Sequence, residues 1–260
     1  MFANSKKWDA RVADAELVAR TPAFRDLRDR IVALADPQAC HTVVDIGSGT
    51  GLLSLAFAER AARVWAVDSS PAMNEYLRAK AASASLNNVD VVLASATSLP
   101  LVDGTADIVV SNYCLHELRH REKDLALAEA RRVLKPRGRL LIGDMMFSFN
   151  PLAERDRSVV AIKLAQLARR GLPGIWRVAK NAARLAGGRW EHPASAAWWS
   201  EALVRAGFGG VNIEVLGHEG GIAVAAAPAR DAYGSARIAA VPGTVPSAAR
   251  RERASRSRLR

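Results

Sequence analysis

The run Thr42-Val43-Val44-Asp45-Ile46-Gly47-Ser48-Gly49-Thr50-Gly51 constrains this 260-residue chain more than any other stretch. Val43, Val44 and Ile46 are β-branched and suit a short buried strand, which three glycines on alternate positions end at once. Glycine at those places lets the backbone take positive φ and lets a ligand approach with no Cβ in the way. The segment 52–61, rich in Leu and Ala, reads as a helix whose free N–H groups face whatever sits over the loop.

Nicotinamide and flavin binders carry a Gly-x-Gly-x-x-Gly turn at a similar place. Here the third glycine comes two residues after the second, and Asp45 sits inside the strand end. That carboxylate repels a pyrophosphate and tolerates a ligand carrying an amino group and a sulfonium, which argues against an NAD(P) oxidoreductase. The pattern Asp-x-Gly-x-Gly-x-Gly resembles the first motif of the class I S-adenosylmethionine-dependent methyltransferases. The resemblance implies S-adenosyl-L-methionine as cofactor, held by Asp45, Gly47, Ser48, Gly49, Thr50 and Gly51.

Along the chain, 64–67 reads as a second strand ending in Asp68. An acid about 20 positions beyond such a loop is placed to accept hydrogen bonds from both ribose hydroxyls, with Ser69 beside it. Ser70-Pro71 opens a helix with cap and first-turn chemistry, and Met73, Leu77 and Ala81 mark its inner face. A third strand covers 89–93. The family pattern calls for Asp at position 95 on the adenine amino group, but Ser95 stands there. Adenine contacts are therefore expected from the Ser95 hydroxyl, the backbone near Ala96, and packing by Met73 and Leu99.

A fourth strand, 106–110, runs into Ser111-Asn112-Tyr113-Cys114-Leu115-His116. The resemblance places this strand end beside the cofactor, so Ser111 and Asn112 are cofactor contacts and the residues after them face the acceptor. Tyr113 either orients an acceptor by its hydroxyl or packs. His116 is the candidate general base, with shaping of the pocket as its other reading; Glu117 and Asp144 read as supporting residues. A helix over 125–134, a turn at 135–138 and a fifth strand over 139–142 follow. Five strand-helix units at this cadence predict a doubly wound, Rossmann-like α/β sheet. The Gly207-Phe208-Gly209 turn and the strands at 211–216 and 222–226 again resemble the family, implying seven strands with an antiparallel last one.

Residues 4–35 read as a helical approach broken at Thr21-Pro22, of the kind that covers a cofactor site. Residues 151–190 interrupt the cadence as two helices around Gly171-Leu172-Pro173-Gly174, a helical insert before the final hairpin that reads as a lid over the acceptor. The domain expectation is 1–228 for the methyltransferase, with 1–40 as cover and 151–190 as basic insert, and 229–260 as a disordered basic tail.

Charge sharpens this division. The net +11 is outweighed by two segments, 230–260 with eight arginines against Asp231 and Glu252, and 151–190 with nine lysines and arginines against Glu154 and Asp156. The rest is slightly acidic. An insert mixing Trp, Leu and Ile with basic residues suits peripheral contact with an anionic membrane, or is simply a wetted basic face. The arginine-rich tail could serve nucleic acid, which keeps an RNA methyltransferase as an alternative, but neither an Asn/Asp-Pro-Pro-Tyr nor a Pro-Cys motif follows the fourth strand. The first 30 residues hold no signal-peptide core and no run approaches the ~20 apolar residues of a membrane span, so a cytoplasmic address is expected.

Cys40 and Cys114 are too few and too distant for a disulfide framework and read as buried small hydrophobes. His116-Glu117-Leu118-Arg119-His120 satisfies the His-Glu-x-x-His zinc protease pattern. Its position directly after a strand, Arg119 in its middle and the charged run 121–123 argue against a protease helix, and no metal is expected. The reading is thus an enzyme that transfers a methyl group by in-line displacement to a small, apolar, lipid- or quinone-like acceptor. A catalytically silent cofactor-binding protein is the alternative from another class.

Overall fold

The computed structural model describes residues 8–148, 150, 152–168 and 191–229. Two helices, α1 (Val12–Ala19) and α2 (Pro22–Ala35), precede β1 (Thr42–Ile46). Then come α3 (Leu52–Ala58), β2 (Arg63–Asp68), α4 (Pro71–Ser83), β3 (Val89–Leu93) and β4 (Ala106–Asn112). A 3-10 turn, Leu115–Glu117, leads to α5 (His120–Val133), β5 (Leu134–Met145) and α6 (Glu154–Ala168). The described chain closes with α7 (Ala196–Arg205), β6 (Gly209–Val215) and β7 (Gly220–Ala226).

The seven strands lie in the order β3-β2-β1-β4-β5-β7-β6. β1 to β5 pair in parallel, and β7 inserts antiparallel to both β5 and β6, as the family resemblance implies. Successive residues of the inner strands alternate between two apolar cores. Val43, Ile108 and Leu141 join Ile31 and Phe57 in one; Val44, Val109 and Leu140 join Leu127 and Trp199 in the other. Both faces of the sheet are therefore covered, which is why these strands are continuously apolar in sequence. The chain leaves β1 toward β2 on one side while β4 lies on the other, so the loops after β1 and β4 diverge and open a crevice at the sheet's C-terminal edge.

Local expectations hold where the signal is local. Ser70 caps α4, its Oγ accepting the Met73 N–H at 3.2 Å, and the buried face carries Met73, Leu77 and Ala81. Several boundaries move. β4 continues through Ser111 and Asn112, which pair with Ile142 and Gly143 of β5. α5 starts at His120 rather than near 125, so the charged run 121–123 is helical and Lys123 is buried in it. The 135–138 turn is absorbed into β5 as an irregularity in its pairing with β4, with Arg137 at φ 64°. Cys40, expected to be buried, is exposed in the turn before β1. The first helix of the insert is α6; the second, and the tail from 230 onward, lie outside the described residues. Among the described residues no helix is long and apolar enough to cross a membrane.

The two tryptophans of α7 separate clearly. Trp199 is fully buried in the core beneath β4 and β5, while Trp198 is half-buried and stacks on His120 at 4.6 Å between ring centroids. Trp199→Ala should therefore cost about 3–5 kcal/mol in urea unfolding, against less than about 1.5 kcal/mol for Trp198→Ala.

Candidate functional site

The glycine loop is bent by one carbonyl. Val67 O, at the end of β2, accepts the N–H groups of both Gly47 (2.8 Å) and Ser48 (3.0 Å), and Ser48 O accepts the Gly51 N–H at 2.8 Å. All three glycines take positive φ, at 76°, 51° and 88°. Their reasons differ. A Cβ on Gly47 would fall 2.1 Å from Cys114 Sγ, and one on Gly51 2.2 Å from Leu77 Cδ1, whereas one on Gly49 would meet nothing within 4 Å. Gly47 and Gly51 are packing glycines, and Gly49 is the one that faces open space. Ser48 Oγ is buried there with no hydrogen-bond partner among the described residues.

Two carboxylates flank the loop. Asp68, at the tip of β2, accepts the Gly49 N–H at 2.9 Å on one oxygen and the Ser70 N–H at 2.8 Å on the other. Burial still raises its pKa, the backbone N–H groups opposing that, and the charge of Asp9 raises it further. Asp45 is buried at the end of β1 and accepts the Ser54 hydroxyl at 2.5 Å. Burial pushes its pKa up to about 7, with Asp68 adding to the rise and the Ser54 hydrogen bond resisting it.

The N-terminal segment reaches this edge through polar contacts that the sequence did not signal. Asp9 accepts the Ser70 hydroxyl at 2.5 Å and the Ala72 N–H at 3.2 Å, so it caps α4 from outside. Glu16 of α1 pairs with Lys80 (2.8 Å) and Arg20 (2.9 Å), and Lys80 also donates to Thr50 O at 3.3 Å. Ser69 lies in the turn between Asp68 and α4.

Other expected cofactor residues are more committed than the sequence suggested. Ser95 and Thr97 share a hydroxyl–hydroxyl hydrogen bond of 2.8 Å, and Ser95 Oγ also accepts the Thr97 N–H, so its hydroxyl serves its own turn first. Ala96 packs with Leu99 on the α5 side, and Met73 is buried under α4. Ser111 donates its hydroxyl to Ile46 O at 2.9 Å, tying the ends of β4 and β1 together. Asn112 Oδ1 is buried without a partner among the described residues and lies toward Ile31 and Gly143, where a glycine Cβ would come within 2.9 Å of it.

Beyond β4 the chain turns sharply. Tyr113 holds φ 47°, an uncommon strain for a bulky residue, with its N–H donated to Gly143 O at 2.8 Å. Its ring lies 4.8 Å from Phe24 and 6.0 Å from His116 between centroids. Burial, with Glu219 and Asp144 nearby, raises its phenol pKa, so the hydroxyl keeps its proton. His116 is buried in the 3-10 turn. Its Nδ1 lies 2.6 Å from Asp144 Oδ1, and its backbone N–H donates to Asp144 Oδ2 at 3.0 Å. Burial works against the imidazolium, but the fully buried Asp144 outweighs it and the His116 pKa is raised. Asp144, read from sequence as a supporting residue, is thus the partner that fixes the ring.

The His-Glu-x-x-His motif is not a helical zinc site. His116 sits in the 3-10 turn, Leu118 is extended, and α5 begins only at His120, which stacks on Trp198. Lys123, which the sequence placed in a charged break, is instead a buried staple: Nζ donates to Leu118 O and, at 2.5 Å, to His192 O. Burial lowers its pKa to about 8.

S-adenosylmethionine fits this donor set, since the open face at Gly49, the orphaned Ser48 hydroxyl and the carboxylates of Asp45 and Asp68 offer space, hydrogen bonds and negative charge to a cationic nucleoside. Residues 43–138 match the model of the methyltransferase domain family. The ubiquinone/menaquinone biosynthesis C-methyltransferase UbiE of Paraburkholderia phymatum is 37% identical over 124 residues, covering 46% of this chain and 50% of that protein. The demethylmenaquinone methyltransferase of Thermobifida fusca is 38% identical over 130 residues, covering 50% of this chain and 53% of that protein. The chain thus spans about half the length of the curated relatives it matches. In fold it is similar to a putative S-adenosylmethionine-dependent methyltransferase from Methanococcus maripaludis, with a TM-score of 0.61 and 23% identity over 89% of this chain and 99% of that one. Over residues 43–138 the chain carries a domain of the class I S-adenosylmethionine-dependent methyltransferases.

Proposed function

We propose that the chain transfers a methyl group from S-adenosylmethionine to a small, apolar, quinone-like acceptor. The observation that carries this reading is Gly49: alone of the three loop glycines it faces open space, and its N–H is bound to the acid at the tip of β2. The names of the similar quinone methyltransferases support the acceptor class. When bound, the cofactor supplies a methyl group already activated on a cationic sulfur.

The chain's own residues then have three tasks. Asp68 offers its remaining lone pairs to ribose hydroxyls while the Gly49 and Ser70 N–H groups hold it still. Asp45 supplies negative charge beneath the loop, and does so only when ionised. Tyr113 and Phe24 form an aromatic wall beside the imidazole of His116, which suits a flat apolar acceptor and excludes water from it. Catalysis on this reading is orientation of the acceptor rather than chemistry by the protein. Leu152, Ile162 and Leu164 leave apolar surface exposed on and beside α6, which supports an acceptor drawn from an anionic membrane surface.

Gly49→Ala should leave the melting temperature within a few degrees, yet weaken S-adenosylmethionine binding at least tenfold by calorimetry. Gly47→Ala should instead destabilise the fold through Cys114. With the Asp45 pKa near 7 in the free protein, the carboxyl is mostly protonated at pH 6 and mostly ionised at pH 8. Since the cationic ligand needs the ionised form, its affinity should rise roughly tenfold between those pH values and stay flat in Asp45→Asn. Flotation of the intact chain with anionic but not neutral liposomes tests the membrane contact, and absence from the anionic fraction removes it.

A further inference from the structure

On the acceptor side, one nitrogen of His116 and one carboxylate oxygen each of Glu117 and Glu191 lie within 4.8 Å of one another. Glu191 is 74 positions from Glu117 in the chain, and the fold brings it there through its neighbour. The His192 N–H donates to His116 O at 2.7 Å, and Lys123 Nζ clamps His192 O against Leu118 O. Glu191 is therefore delivered to the turn by backbone bonds rather than by a loose side-chain encounter. His116 is only 5% exposed, and both its Nδ1 and its backbone N–H are held by the buried Asp144. That leaves Nε2 as the nitrogen that can coordinate, with a carboxylate behind the ring to fix its orientation and raise its basicity.

Three carboxylates, Asp144, Glu117 and Glu191, surround this one imidazole. Among the described residues the charge of Lys123 reaches Asp144, while its Nζ is bound to two carbonyls. Ligands about 2.1 Å from one octahedral ion lie about 3.0 Å apart when cis and about 4.2 Å when trans, so rotation of the two Glu side chains is needed to close the set.

We propose that His116 Nε2 and the carboxylates of Glu117 and Glu191 form a divalent-cation site at the acceptor end of the cleft. One imidazole with two carboxylates suits Mn²⁺, with Zn²⁺ and Mg²⁺ as the softer and harder neighbours. The remaining coordination positions go to water or to an oxygen of the acceptor, and this last role rests on the methyltransferase reading. An oxygen-bearing acceptor, a phenol or quinol, would then bind with its hydroxyl on the cation, which lowers that hydroxyl's pKa. The site replaces the base role expected for His116 from the sequence, since Nε2 cannot hold a cation and take a proton at once.

The test is a Mn²⁺ titration of the full-length, chelator-treated chain, read by loss of the electron paramagnetic resonance signal of the free aquo ion. One saturable site is expected. Glu191→Gln should weaken it at least tenfold while leaving S-adenosylmethionine binding unchanged, and Glu201→Gln, an exposed acid elsewhere, should bind Mn²⁺ as the parent does. No saturable uptake by the parent chain, or undiminished uptake by Glu191→Gln, overturns the site. Mn²⁺ bound at one Glu191-dependent site by a chain that takes no S-adenosylmethionine would overturn the methyltransferase reading and leave the cation site standing.

Discussion

The end of β1 is the point from which the whole cleft hangs. One carbonyl of β2, Val67 O, takes two successive N–H groups of the glycine loop, and the last carbonyl of β1, Ile46 O, takes the Ser111 hydroxyl of β4. The first contact folds the loop back toward β2; the second locks β4 alongside so that the turn after it departs from a fixed place. Packing then reinforces hydrogen bonding, because Cys114 of that turn fills the space a Gly47 side chain would need. A change on either side of the crevice is felt on the other through this shared edge.

Charge runs opposite to the chain's total. Against a net +11, the crevice gathers Asp9, Asp45, Asp68, Asp144, Glu117 and Glu191. Each buried acid in it has a specific means of staying there: backbone N–H groups for Asp68, a hydroxyl for Asp45, an imidazole and two N–H groups for Asp144. Those supports soften the desolvation of a carboxylate without abolishing it, which is why Asp45 and Asp68 titrate high. Such a cleft prefers ligands that arrive with positive charge. Along the sequence the basic residues concentrate in 151–190 and 230–260, apart from the segments that carry these acids.

What was legible in the sequence was local or periodic. The β-branched runs, the Ser-Pro cap of α4 and the glycine loop carry their reasons within ten residues, and the strand cadence yields the sheet. The site beyond β4 depends on residues that meet only through the fold: Asp144 on His116 from 28 positions away, Asp9 on Ser70 from 61, Glu191 on Glu117 from 74. No spacing rule encodes such pairs. The run 119–123 misleads for a related reason. Its charges look like a helix break, but Lys123 is tolerated inside because two carbonyls outside the helix accept its N–H groups. Cys40 errs the other way, since a cysteine's usual burial yields to its place in a surface turn.

The two N-terminal helices are held to the body in different ways. α2 buries Leu27, Ile31, Val32 and Ala35 against the sheet, and Arg139 ties down its end by donating to Ala35 O at 3.1 Å and Leu34 O at 2.6 Å. α1 buries no apolar residue; its one buried side chain is Glu16. Its hold on the body is therefore made of ion pairs and caps, through Lys80 and through Asp9 at Ser70. Partly exposed contacts of that kind are worth only about 1 kcal/mol each, far less than the apolar surface under α2. The junction at Thr21-Pro22 thus divides a helix that must stay from one whose release costs the fold little. The two anchors of this segment, Glu16 of α1 on Lys80 and Asp9 ahead of α1 on Ser70, fasten it to α4, whose Lys80 reaches Thr50 O and whose cap Ser70 lies beside Asp68.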